Sequence, residues 1–297
     1  MPPTTPRPAA VIHSRPAQRG GRSCGWWPLV GTWLVLVGAG VVEAQVEVSI
    51  RLVHNRTVQH EPVVLEVRVQ NDQAQPIVLG GDVATARLWL EVEQSPGRML
   101  RPQDTEVVKT EWVIPPRSSD RRRFFLSRVH DLRNMGPYSV WARLEAGGRH
   151  FQSNRAFLDV VPGLELKQVV GAAGPGDAGQ RVYRLMTLNR ERGEHLLLRI
   201  DDADRNVCYA VIHLGRLLRV YSPQMRVDEH RQITVLHQAG PGRFFYQVFT
   251  PNGREVVRRV YISEEPGVRL VPGEGGRYIV AGATSSAGPF DNEHPVR

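Results

Sequence analysis

Three oxygen-bearing side chains, Asp202, Asp204 and Asn206, alternate in DDADRN, the spacing with which a calcium loop begins to wrap hard ligands around one cation. The pattern then breaks: Val207 stands where that loop needs glycine, and His213 where a bidentate glutamate would close the coordination. A polar turn between the apolar runs LLLRI and VCYAV explains the same residues, so calcium is the weaker reading of this segment. The ten histidines are scattered, with no H-E-x-x-H or H-x-H pair, and His213 and His237 lie in apolar runs and read as core or face residues. Neither a G-x-S-x-G elbow nor a P-loop or dinucleotide fingerprint occurs. No catalytic residue, cofactor or firm metal site is expected.

Two further groups of side chains could bind. SSDRRRFFLSRVHDL, residues 118–132, sets three arginines against two phenylalanines. A strand starting near Arg121 sends Arg122, Phe124 and Leu126 to one face and Arg121, Arg123 and Phe125 to the other. On that reading the phenylalanines pack and Arg121 and Arg123 form a solvated strand end that resists edge pairing, with an anionic glycan or lipid contact as the minority reading. The second group is aromatic. Alternation puts Trp89 beside Arg87 and Glu91, and Trp141 beside Ser139 and Arg143, on polar sheet faces where a ring can stack on a sugar or fill a partner's pocket. A covering sheet or neighbouring domain is the competing account of both rings.

The formal charge of +8 and pI near 10 would suggest nucleic acid or an anionic membrane as partner. Yet Lys109 and Lys167 are the only lysines, so a compositional bias toward arginine explains the balance without a ligand. The N-terminal segment says more about partners. Arg7, Arg15, Arg19 and Arg22 precede the uncharged run Gly25–Val42, which is followed by Glu43, Ala44 and Gln45. This is a secretory signal layout with cleavage expected before Gln45, and an uncleaved anchor is the alternative. The leader is long, so translation could start downstream of Met1. Removing residues 1–44 leaves 34 basic and 29 acidic residues, a charge of about +5, and Cys208 as the one cysteine. Cys208 lies in the apolar run NVCYAVIHL and is expected to be a buried, inert thiol.

From Gln45 onward the dominant signal is alternation with period two. VEVSIRLV puts Val46, Val48, Ile50 and Leu52 on one face; PVVLEVRVQN and ARLWLEVE repeat the pattern. Turn residues separate these runs, giving seven to nine expected strands up to Val161. NMGPYSV, residues 134–140, resembles the tyrosine corner of immunoglobulin-like domains. The resemblance implies a turn at Gly136 and a Tyr138 hydroxyl tied back to nearby backbone. Asn134 stands where aspartate is usual, and Val140 where antibody domains carry a cysteine, so no disulfide is implied.

The expected architecture is therefore all-β: a signal peptide at 1–44, an immunoglobulin-like antiparallel β-sandwich at 45–162, a second β-rich unit at 163–265, and a small hairpin with a disordered tail at 266–297. Pro162-Gly163 marks the junction, and the second unit reads either as another sandwich or as a β-meander. Asn252-Gly253 is its strongest hairpin signal. With VLHQAGPGRF and FTPNG in that second unit, the chain resembles secreted bacterial immunoglobulin-like β-proteins of planctomycete and verrucomicrobial type, which implies a periplasmic, outer-envelope or extracellular location. The expected function is non-catalytic binding of an envelope or extracellular protein or glycan. Alternatives are a self-associating structural component or an accessory to a secreted enzyme. Export argues against nucleic acid, and membrane contact is expected only through an uncleaved N-terminal segment.

Overall fold

The computed structural model describes residues 46–174, 179–205 and 207–286; the expected signal segment and Asn206 lie outside them. Alternation along the first apolar run becomes a strand, β1 (Val46–Leu52), in which Val46, Val48 and Ile50 are buried and Glu47 and Arg51 exposed. It is followed by β2 (Arg56–Val58), β3 (Val64–Asn71), β4 (Ile77–Leu79), β5 (Ala86–Gln94) and β6 (Arg98–Met99). Then come β7 (Trp112–Ile114), β8 (Ser118–Phe125), the one-turn helix α1 (Leu126–Val129), β9 (Gly136–Ala146), β10 (Arg149–Gln152) and β11 (Ala156–Val161). Eleven strands replace the seven to nine expected, because several two- to four-residue segments add to existing edges without an alternating pattern of their own.

These strands form two sheets, one ordered β1-β3-β8 and one ordered β2-β11-β9-β5-β4-β7, with β10 on β9 and β6 on β5. Their inner faces share one core: Val48, Ile50, Leu65, Val67 and Val69 from the first meet Leu90, Val92, Val140, Ala142, Leu144 and Leu158 from the second. Burying each such side chain contributes about 1.5–3 kcal/mol, which fixes the register, since a one-residue slip would turn the whole set outward. Most ladders are antiparallel, but β2–β11 and β4–β5 are parallel, a departure from the purely antiparallel sandwich expected. Both involve three-residue strands reached through loops, where no tight hairpin imposes antiparallel pairing.

The corner residues meet as a motif. Tyr138 is 1% exposed, and its hydroxyl donates to the Asn134 carbonyl at 2.6 Å, closing the turn at Gly136 onto the start of β9. Val140 is fully buried where an antibody domain would carry cysteine.

After Pro162-Gly163 come β12 (Leu164–Ala172), β13 (Gln180–Arg190), β14 (Gly193–Asp202) and β15 (Cys208–Arg216), an antiparallel meander. A second meander holds β16 (Gln224–Val227), β17 (Ile233–Gly240), β18 (Arg243–Phe249) and β19 (Glu255–Ile262). The hairpin β20 (Arg269–Pro272) and β21 (Tyr278–Ala281) follows, and β22 (Thr284–Ser286) pairs with β19. Residues 284–286 are thus strand where a disordered tail was expected; residues after Ser286 lie outside those described.

The two meanders share a core of Tyr183, Leu185, Leu196, Leu198 and Ile200 with Met225, Ile233, Val235 and Phe249. Their outer faces are covered too. Val268 and Leu270 pack on Leu236, Phe244 and Val248, while Val58 of β2 packs on Leu188, Leu197 and Val211. Burial on both sides is why EHLLLRI and ITVLHQ read as continuous apolar runs rather than alternating ones. All described residues fall within one compact unit. At its seam Gly163 adopts φ +73°, and a Cβ there would come within 2.9 Å of Val58 Cγ1, so the turn needs glycine for both conformation and space. Gly253 is similar: at φ +87° it lets the hairpin turn rest on Ala210 and Ile212.

Candidate functional site

The outer face of β1-β3-β8 brings four guanidinium groups together by register. Cross-strand pairing defines three rows: Arg51–Glu66–Arg123, Ser49–Arg68–Arg121 and Glu47–Gln70–Ser119. Glu66 lies 3.6 Å from Arg51, 3.9 Å from Arg121 and 3.6 Å from Arg123, so one carboxylate serves three cations. The Arg51 and Arg121 side chains remain 72% exposed and that of Arg123 42% exposed. Arg68 donates to Ser119 Oγ at 3.2 Å, a neutral partner. Over these three rows the face presents four arginines against Glu66 and Glu47, with serine and glutamine between them, and the next row on the same side pairs Val64 with Phe125.

Arg121 and Arg123 belong to this face, as their alternation in the sequence indicates. Arg122 does not. It folds over the sheet margin, donating to the Thr110 and Glu111 carbonyls at 3.0 and 3.1 Å and lying 5.3 Å from the Trp112 ring centre. Phe124 is core, Phe125 lies beneath Arg128, and Leu126 starts α1 instead of extending the strand. Both outer strands are guarded. Asn154 bonds the Ile50 amide and carbonyl along β1, and arginines line β8.

The tryptophans are less available than alternation implies. Trp141 occupies the polar face opposite Glu91 but is only 6% exposed, because Arg155, arriving from the β10–β11 connection, places its guanidinium 4.3 Å from the ring centre. This corrects the expectation of an exposed platform at Trp141. Trp89 is half-buried opposite Arg143, whose guanidinium pairs with Glu91 at 3.0 Å.

The acidic segment is committed to internal bonds. Asp202 Oδ1 accepts the amides of Asp204 and Arg205, each at 2.9 Å, while Oδ2 accepts from Arg181 Nη1 at 3.0 Å and Tyr209 Oη at 3.2 Å. The Asp204 amide, first among these contacts, holds the Asp202 carboxyl below the usual carboxylate range. Arg181 is fully buried and stacks 3.8 Å from the Tyr209 ring centre. Asp202 thus anchors a turn and a buried arginine, and Asp204 contributes its backbone. Among the described residues no group of three His, Cys, Asp or Glu is placed to hold a metal ion. Cys208 is half-buried, with its thiol pushed up to about 11 by burial first and the nearby Asp201 carboxylate second.

Sequence reasoning missed a histidine cluster at the seam of the two halves. His195 on β14 and His213 on β15 sit diagonally across their ladder, with His195 Nδ1 and His213 Nε2 hydrogen-bonded at 2.7 Å, the donor being set by the ring tautomers. The His54 ring, from the β1–β2 connection, lies 6.4 and 6.1 Å from theirs. Burial, then the Arg190 guanidinium, lowers His195 to about 4 and His213 to about 3, so both are neutral at pH 7. Arg190 is itself buried and ion-paired with Glu61, and its Nε donates to the Arg56 carbonyl at 3.1 Å. His237, on β17 of the second meander, is 2% exposed and meets Phe245 edge-on at 5.5 Å. The usable signal was the occurrence of His195 and His213 in two successive apolar runs, which a hairpin pairing would bring together.

No family model matches the chain, and no curated protein is detectably similar to it in sequence. The class is therefore defined by architecture alone: an all-β protein of a two-sheet sandwich followed by paired meanders.

Proposed function

We propose that this chain is an exported, non-catalytic binding module that engages a component of the cell envelope or extracellular space through the outer face of β1-β3-β8. Export rests on the arginine-flanked apolar run Gly25–Val42. The binding face rests on one observation: Arg68 stands directly opposite Arg121, with Ser49 rather than an acid completing the row. Like charges directly opposite in a ladder cost stability, and that cost is offset when a partner brings the missing negative charge. The arginines along β8 also disfavour edge-to-edge self-assembly, the alternative of a structural envelope component.

The test compares retention on the envelope fraction of source cells at low salt. Wild-type protein is expected to be retained and Arg68→Ser/Arg121→Ser released. Equal retention of the two would remove this face from the function.

A further inference from the structure

We propose that the ligand of the β1-β3-β8 face is a linear acidic polysaccharide, bearing sulfate or carboxylate groups along its chain. The inference rests on the binding role proposed for that face and adds the chemistry of its occupant. Adjacent strands stand about 4.8 Å apart and successive outward rows about 7 Å apart, so the guanidinium groups form a grid rather than a pocket. A grid suits a ligand whose charges recur along its length. Each exposed guanidinium offers a planar fork of donors that matches two oxygens of a carboxylate or sulfate. Ser49, Ser119 and Gln70, interspersed among the cations, present neutral donors and acceptors of the kind that pair with sugar hydroxyls.

The same rows argue against the other polyanions. Single-stranded nucleic acid is held by base stacking on aromatic rings, and these rows hold none. An anionic membrane engages basic surfaces most firmly where apolar side chains enter the interface, and the outward residues of these three rows are charged or polar, while in the row beyond them Val64 is buried and Phe125 is half-buried beneath Arg128. Charge complementarity without stacking or insertion leaves the acidic polysaccharide as the best-fitting occupant.

The experiment measures binding of the wild-type protein to dextran sulfate and to polyuronate, with neutral dextran, duplex DNA and phosphatidylglycerol-containing vesicles as comparisons. Arg68→Ser/Arg121→Ser is expected to weaken binding to at least one acidic polysaccharide by about tenfold or more, with a melting temperature no lower than that of the wild type. Arg98→Ser/Arg254→Ser removes the same charge from exposed positions elsewhere and is expected to bind as wild type. Three outcomes overturn the proposal: neither acidic polysaccharide binds, DNA or vesicles bind as tightly, or the control variant loses as much affinity. The failures separate cleanly. If the face variant loses envelope retention while neither polysaccharide binds or competes, the ligand class is wrong and the face stands; unchanged retention removes the face itself.

Discussion

Arg68 and Arg121 face one another across the β3–β8 ladder, and the carboxylate that meets the Arg121 guanidinium, Glu66, is shared with Arg51 and Arg123. A surface optimised for stability alone would place an acid in that row, as on the other sheet, where Glu145 stands directly opposite Arg87. The unbalanced row is therefore a place where stability and binding should respond to mutation in opposite directions.

Arg121→Gln removes the like-charge opposition while keeping a polar side chain with its aliphatic stem. It is expected to raise the unfolding free energy in urea by about 0.2–1 kcal/mol, and to weaken envelope retention. Unchanged retention would show that Arg121 does not serve the ligand, and a lower stability would show that its contact with Glu66 outweighs the opposition.

The corner bond gives a second prediction. Tyr138→Phe deletes the hydroxyl that donates to the Asn134 carbonyl at 2.6 Å and keeps the ring in the core. Denaturant unfolding should show a loss of about 1 kcal/mol, and binding by the distant arginine face should not change.

At the seam, Arg190 and Glu61 are paired with side chains only 4% and 7% exposed. Arg190→Ala leaves Glu61 buried without its cation, and a destabilisation of about 3–5 kcal/mol is expected. Proteolysis near Pro162-Gly163 should accelerate in the same variant, because Arg190 also bonds the Arg56 carbonyl across the seam.

The histidines predict acid sensitivity. Folded values of about 4 for His195 and about 3 for His213 lie below the ordinary 6.5, so protonation favours the unfolded chain. Their contribution is present above about pH 6.5 and is lost as pH falls toward 4, at roughly 2 kcal/mol for each group by pH 5. His54, Arg190 and Arg216 face the pair as cations or potential cations, so an added proton also meets repulsion. Denaturation midpoints at pH 7.5 and 5 should differ for the wild type, and the difference should shrink but not vanish in His213→Gln, which keeps His195. A wild-type midpoint independent of pH would contradict the neutral pair.

What could be read in the sequence follows physical range. Alternation in Val46–Leu52 and Ala86–Gln94 is local, so the sheet faces were legible from single strands. Arg121 and Arg123 were visible together for the same reason. Arg51 and Arg68 join them only through register, which depends on a core packed from distant segments. Trp141 was placed on its correct face, but Arg155 comes from another connection and covers it, and periodicity holds no information about that. Thr284–Ser286 escaped because a short polar strand added to an existing edge needs no apolar pattern. His54, His195 and His213 meet across 159 positions of chain and share no motif.

The most direct measurement places a photoreactive side chain at Ser49, in the row of Arg68 and Arg121, and another at exposed Glu264 on the second unit. After irradiation in source cells, adducts are resolved by mass and by digestion with polysaccharide lyases. Ser49 is predicted to give an envelope adduct that lyase treatment shortens, and Glu264 none. Absence of an adduct at Ser49, or equal labelling at both positions, would contradict a binding face on β1-β3-β8.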